Sequence, residues 1–100
     1  MDALVDICGH TYQIKLIDDL HTSDNIKIWG RVNNSLQIIE LEKDCSKSRL
    51  GEALLHEILH AIDSSIDVEL DERKTQILAN SLNQLGLGEY LAGKLDLVNR

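Results

Sequence analysis

Residues 49–64 read RLGEALLHEILHAIDS, and this stretch predicts the helix around which the rest of the chain folds. Its apolar residues recur three and four positions apart, as they do on the buried face of an amphipathic helix. They are Leu50, Leu54, Leu55, Ile58, Ala61 and Ile62. His56 and His60 fall on the opposite side, because each residue advances about 100° around the helix axis. We therefore expect a helix that packs with one face and offers two imidazoles with the other.

Within this helix, His56, Glu57 and His60 form an H-E-x-x-H pattern. Residues i and i+4 share a helix face, so both imidazoles can bind one zinc ion at roughly 2.0–2.1 Å. The glutamate beside them can take a proton from a zinc-bound water. The pattern is the signature of the zincin metallopeptidases. It predicts that His56 and His60 are zinc ligands and that Glu57 is the catalytic residue.

A catalytic zinc site also needs a third protein ligand. The metzincin arrangement, with a glycine turn and a third histidine, is excluded because Asp63 and Ile66 occupy those positions. A glutamate from the following helix is the other common solution, and Glu69 and Glu72 are the candidates. Asp63 lies about 4.5 Å further along the helix axis than the second histidine, which suits a role in orienting an imidazole.

Glu72 is the preferred third ligand, with Glu69 as the alternative. Thr75, Ala79 and Asn83 share the side of the second helix on which Glu72 lies. They form a small and polar strip along which two helices could approach a metal. The sequence therefore predicts a site of two histidines from one helix and one glutamate from the next.

Four β-rich runs precede the histidine helix and read as two hairpins. They span residues 3–7, 11–17, 26–32 and 36–41. A second helix is predicted at residues 66–85, ending at Gly86, with its large apolar residues on the buried face. Those residues are Leu70, Ile77, Leu78, Leu82 and Leu85. Together these elements predict one α+β domain over residues 1–100, with a small antiparallel sheet of three to four strands packed on the histidine helix and a following glutamate helix.

Composition limits the partners and the compartment. A formal charge of −7 argues against binding to nucleic acid or to an anionic membrane. No apolar run approaches the roughly 18 residues of a membrane span, and the first residues lack the features of a signal peptide. Cys8 and Cys45 have no C-x-x-C spacing, which favours two unlinked thiols in a reducing cytosol. We expect a cytoplasmic protein with no nucleic-acid or membrane partner.

The motif region resembles small phage- and prophage-encoded H-E-x-x-H proteins related to the ImmA/IrrE-like metallopeptidases. The resemblance is carried by residues 51–62, 70–72 and 78–82, with residues 29–32 and 38–41 upstream. It implies a minimal zincin-like fold and a location in the host cytoplasm. It also implies Zn²⁺ as cofactor, held by His56, His60 and Glu72, with Glu57 as the catalytic glutamate.

Two functions are compatible with these residues, and a third interpretation is a metal-free domain with two solvated histidines. The first is a zinc-dependent metallopeptidase that hydrolyses peptide bonds through a zinc-bound water activated by Glu57, with the substrate added to an edge strand within residues 26–41. The second is a zinc-stabilised, catalytically inactive phage or prophage factor that binds a host protein, since no residue stands out as the one that stabilises an oxyanion. The candidates for that role are Tyr12, Tyr90, His10, His21 and Arg73.

Overall fold

The computed structural model describes residues 3–97, which form a four-stranded sheet and three helices. The strands are β1 (Ala3–Ile7), β2 (His10–Ile17), β3 (Gly30–Asn33) and β4 (Ile38–Glu42), and the helices are α1 (Lys47–Ile66), α2 (Glu72–Gln84) and α3 (Leu87–Lys94). Strand order across the sheet is β1-β2-β4-β3, and α1 contacts β1, β3 and β4 as well as both other helices. The predicted α+β class is confirmed. No helix among residues 3–97 is long and apolar enough to cross a membrane.

Both predicted hairpins are present, although the strand predicted at residues 26–32 begins only at Gly30. The turn between β1 and β2 consists of Cys8 and Gly9, with φ of 50° and 84°, and two residues of positive φ match the right-handed twist of paired strands. β3 and β4 pair in the same antiparallel manner. The thiols of Cys8 and Cys45 are both free, as expected.

The prediction of an entirely antiparallel sheet is wrong, because β2 and β4 pair in parallel and the sheet is mixed. Ile14 lies opposite Ile39, and Leu16 lies opposite Leu41. The physical reason lies in β3 and β4 themselves: Ile39 and Leu41 are fully buried and need neighbours on both sides, whereas β3 carries Arg31 and suits the edge. β4 rather than β3 therefore lies next to β2. With β3 in that place, all four strands would pair in the antiparallel manner.

Helix α1 begins at a serine cap, since the Ser46 side chain accepts a hydrogen bond from the backbone N–H of Arg49. Its apolar face packs onto the sheet as predicted. Leu54 and Ala61 are fully buried there, in one core cluster with Ile39 of β4. The opposite side of α1 is left for polar groups.

The helix predicted at residues 66–85 begins only at Glu72, and most of its predicted buried face is exposed. Ile77, Leu78 and Leu85 are 50%, 39% and 82% exposed, whereas Thr75 and Ala79 are fully buried. The strip of small residues lies towards α1, since Gln76 and Asn83 on this part of α2 donate hydrogen bonds to Glu52 and to the Ser48 carbonyl. Small side chains at such a contact let two helices approach closely. Size at the helix contact, rather than hydrophobicity, decides which side of α2 is covered.

Two glycines bring α1 and α3 into backbone contact. A Cβ atom built on Gly88 would lie 2.6 Å from both the carbonyl carbon and the oxygen of Gly51, and one on Gly51 would lie 2.8 Å from the carbonyl carbon of Gly88. Asn83 joins the same contact by donating its Nδ2 hydrogen bond to the Ser48 carbonyl at 3.0 Å. Side chains at either glycine would force the helices apart.

Substituting Gly88→Ala tests this contact. We expect the free energy of unfolding to fall by roughly 1–3 kcal/mol, measured by urea denaturation, because the added methyl group has no space. The matched control is Gly93→Ala in the same helix, where a Cβ meets nothing within 4 Å. That control should gain about 0.5–1 kcal/mol from the smaller entropy loss of alanine, and equal effects of the two substitutions would contradict the close contact.

Candidate metal centre

His56 and His60 occupy successive turns of α1 on its polar side. Their ring centroids are 4.7 Å apart with an angle of 72° between the ring planes. The two Nε2 atoms are separated by 3.1 Å, and both rings are half-buried. The i, i+4 spacing therefore aims one nitrogen of each ring at a common point.

Glu72, the first residue of α2, brings its carboxylate to the same point. Its Oε1 lies 2.8 Å from Nε2 of His56, and its Oε2 lies 3.1 Å from Nε2 of His60. The alternative candidate, Glu69, does not join this cluster: it lies in the preceding turn with φ of 57°. Of the two glutamates considered from sequence, the structure brings only Glu72 to the histidines.

A tight turn between α1 and α2 makes this approach possible. Asp67 ends α1 in the left-handed conformation, with φ of 48°, and its N–H donates to the Asp63 carbonyl at 2.8 Å. The Asp63 side chain accepts the backbone N–H of Leu70 at 3.1 Å. Asp63, suggested from sequence as a group that orients an imidazole, is thus engaged in the interhelix turn. Asp71 then caps α2 by accepting the N–H of Lys74.

The donor set fits a zinc ion. The ligand atoms of His56, His60 and Glu72 all lie within 4.8 Å of one another. Two imidazole nitrogens and a carboxylate oxygen bound tetrahedrally at about 2.0–2.1 Å would be about 3.3 Å apart. The two Nε2 atoms are 3.1 Å apart, and each has a different oxygen of Glu72 beside it, at 2.8 Å and 3.1 Å. Binding would therefore require the two nitrogens to move apart by a few tenths of an ångström and the carboxylate to turn one oxygen towards the ion.

Glu57 is buried beside this cluster, with only 6% of its surface exposed. Burial, with a smaller effect from the negative charge of Glu72, raises the pKa of its carboxyl to about 7. Gly30 of β3 makes room for the side chain, because a Cβ there would lie 3.2 Å from Cγ and 3.3 Å from Oε2 of Glu57. A cation at the cluster would lower this pKa, since it favours the carboxylate.

A cleft of about 290 Å³ extends from the cluster between residues 27–30 and the polar face of α1. Trp29 forms its far wall, with Lys27 and Arg49 placed over the indole at 5.4 Å and 4.6 Å from the ring centroid. Sequence reasoning did not assign these residues to the site. The available signal was the spacing of Arg49, which lies two helical turns before His56 and so on the same face.

The candidates for stabilising an oxyanion lie elsewhere. None of the five residues named from sequence lines this cleft. Tyr12 is buried in the core and donates its hydroxyl to Oδ1 of Asn34 at 2.8 Å, and Tyr90 is exposed on α3. Nδ1 of His21 lies 3.5 Å from Oδ1 of Asp19 in the connection between β2 and β3.

A buried carboxylate holds the segment that carries Trp29. Glu42 is fully buried at the end of β4, where it binds the ammonium group of Lys27 and accepts the backbone N–H groups of Asp19, Leu20 and Asp44. The hydrogen bond from Lys27, together with those backbone donors, lowers the pKa of Glu42 to about 2 against the opposing effect of burial. The connection between β2 and β3 is thereby fastened to the sheet.

Comparison of the chain with protein-family models, with curated proteins and with solved structures finds no match.

Stability in acid should depend on Glu42. The pKa of Glu42 is about 2 in the folded protein and about 4.3 in the unfolded chain. The ionised carboxylate therefore stabilises the folded state above pH 4.3, and this stabilisation is lost as the pH falls towards 2. We expect the unfolding free energy of Glu42→Gln, measured in urea, to fall less steeply than that of the natural chain between about pH 5 and pH 2.

At pH 7 the same substitution should cost about 1–3 kcal/mol, because buried donors lose a charged acceptor. The control is Glu40→Gln in the same strand, which removes an ion pair with Arg31 that is partly exposed and should cost under about 1 kcal/mol. Parallel acid profiles of Glu42→Gln and the natural chain would contradict this role of Glu42.

Proposed function

We propose that this protein is a zinc-dependent metallopeptidase-like protein of minimal zincin-like fold, related to the ImmA/IrrE-like metallopeptidases, which hydrolyses peptide bonds in the cytoplasm of a host cell. One observation carries the proposal. The Glu72 carboxylate lies within 3.1 Å of Nε2 of both His56 and His60, while Glu57 is buried beside them at the same cleft. This is the arrangement that the chemistry of a glutamate-type zinc peptidase requires.

His56, His60 and Glu72 would hold the ion. Bound zinc would polarise the scissile carbonyl and make an attacking water more acidic. Glu57 accepts a proton from that water while the water oxygen attacks the carbonyl carbon. The Glu57 carboxyl then delivers a proton to the leaving nitrogen as the carbon–nitrogen bond breaks. Glu57 is buried beside the cluster, and a cation there would favour its carboxylate form, which is the form that accepts the proton.

An edge strand next to Glu57 supports peptide as the substrate. β3 lies at the end of the strand order, and the Trp29 carbonyl accepts the N–H of Glu42 at 2.9 Å. Because hydrogen-bonded and non-hydrogen-bonded pairs alternate in an antiparallel ladder, the N–H and C=O groups of Gly30 and Val32 are directed away from β4. An extended peptide can pair with them. Gly30 would then bring its backbone beside Glu57.

A second function is favoured by one observation. Among the described residues that line the cleft, there is no tyrosine and no histidine other than the candidate ligand His56 to stabilise an oxyanion. The alternative is a zinc-stabilised, catalytically inactive phage or prophage factor that binds a host protein through this cleft. Zinc binding is common to both functions, and hydrolysis separates them.

The third ligand is tested by substitution. We expect Glu72→Gln to lower zinc affinity by roughly tenfold to a hundredfold, because a neutral amide replaces a charged ligand. Competition with a chromophoric chelator measures this affinity. Glu69→Gln is the matched control, since it removes the same charge three residues earlier, outside the cluster. An equal loss of affinity in both variants would reject Glu72 as the third ligand.

Hydrolysis is tested with Glu57→Gln. Digestion of a peptide library should proceed with the zinc-loaded natural chain and fall by roughly 10²–10⁴-fold in the variant, because the proton acceptor is lost. Zinc content, measured by atomic emission, should stay at one equivalent in both proteins. Two zinc-loaded proteins that leave the library equally intact would favour the binding factor over the peptidase.

A further inference from the structure

We propose that Arg49, stacked on Trp29, is a subsite for a carboxylate, so that the cleft selects peptides with an acidic group about three residues from the metal cluster. The assignment of this carboxylate to a peptide substrate rests on the proposed function. Recognition of the carboxylate itself rests on Arg49 and Trp29 alone.

Arg49 is an exposed residue that lies over the Trp29 ring and has no acidic partner among the described residues. Its Cζ lies 4.6 Å from the centroid of Trp29, which is 38% exposed and forms a wall of the cleft. Among residues 3–97 the guanidinium makes no ion pair, whereas Arg31 binds Glu40 at 2.6 Å. A planar guanidinium stacked on an aromatic ring keeps its N–H donors available at its edge, where a carboxylate binds with two hydrogen bonds.

The other cation at this wall is already neutralised. Lys27 binds the buried carboxylate of Glu42 and lies 3.6 Å from Oδ1 of Asp19. Its pKa is raised, chiefly by the hydrogen bond to Glu42. Arg49 is therefore the cation at this wall whose charge is available to a ligand, on a chain whose formal charge is −7.

The distance from Arg49 to the cluster suits an extended peptide. Arg49 precedes His56 by seven residues on one helix face, a rise of about 10.5 Å along the axis at 1.5 Å per residue. An extended chain covers that distance in about three residues, at roughly 3.3 Å each. Between the two positions the cleft is lined by Ala53, which leaves room, and by Glu52, whose carboxylate accepts the Gln76 amide at 2.8 Å.

The substrate class follows from these positions. A peptide paired with β3 and bound at the cluster can place an aspartate or glutamate side chain, or its own terminal carboxylate, against Arg49. Both groups present the same carboxylate chemistry. The bidentate geometry favours arginine over lysine at this position.

The sole tryptophan of the chain provides a direct readout, because Trp29 lies under Arg49. We would titrate zinc-loaded Glu57→Gln protein with octapeptides that carry one aspartate at each position in turn, and with the matching asparagine set, and follow tryptophan emission. Free and amidated C-termini separate a terminal from a side-chain carboxylate. We expect aspartate at one position, or the free terminus, to bind roughly tenfold to a hundredfold more tightly than its neutral counterpart.

Arg49→Gln in the same background should abolish that preference, and Arg49→Lys should restore part of it. Lys47→Gln is the control, because it removes an exposed charge two residues away on the same helix and outside the cleft; it should keep the preference. Equal affinity for acidic and neutral peptides, absence of peptide binding, or a preference that survives Arg49→Gln would overturn the subsite. If the preference is found but the zinc-loaded natural chain cleaves none of the same peptides, the proposed hydrolysis is rejected and the subsite stands.

Discussion

The close approach of α2 to α1 is the constraint on which the site depends. Thr75 and Ala79 are fully buried between the two helices, and Glu72 lies one turn before Thr75 on the same side of α2. Larger side chains at this contact would move α2 outward by more than the few tenths of an ångström that ligand geometry tolerates. The polar chemistry of α1 is therefore set by the size of two residues that carry no charge.

The sequence predicted those features that depend on local spacing. The amphipathic character of α1, the common direction of His56 and His60, and the two hairpins all follow from periodicity within a short stretch. Glu72 could also be selected over Glu69, because its own side of α2 carries small residues. These are relations between residues a few positions apart, and they survive folding unchanged.

What the sequence did not reveal depends on contacts between distant segments. The parallel pairing of β2 with β4 is decided by which strand is apolar enough to be central, and neither hairpin alone contains that information. Ile77 and Leu85 are exposed although large apolar side chains of a helix are usually buried, because a narrow helix contact excludes large side chains. Glu42 is a further case. A glutamate in a strand is expected at the surface, and Glu42 is buried because the segment that contains Leu20 packs around its carboxylate.

The mixed sheet has a consequence for how the chain acquires its structure. Each hairpin closes over a short turn, which takes microseconds, whereas the parallel ladder joins Gln13 to Ile38, 25 residues later. Docking of the two hairpins is therefore expected to be the slow step, and α1 has no complete surface to pack on until it has occurred. During synthesis, the open edge of β2 beside Ile14 and Leu16 stays unpaired until β4 has emerged from the ribosome, so the interval most exposed to aggregation precedes assembly of the cluster of His56, His60 and Glu72.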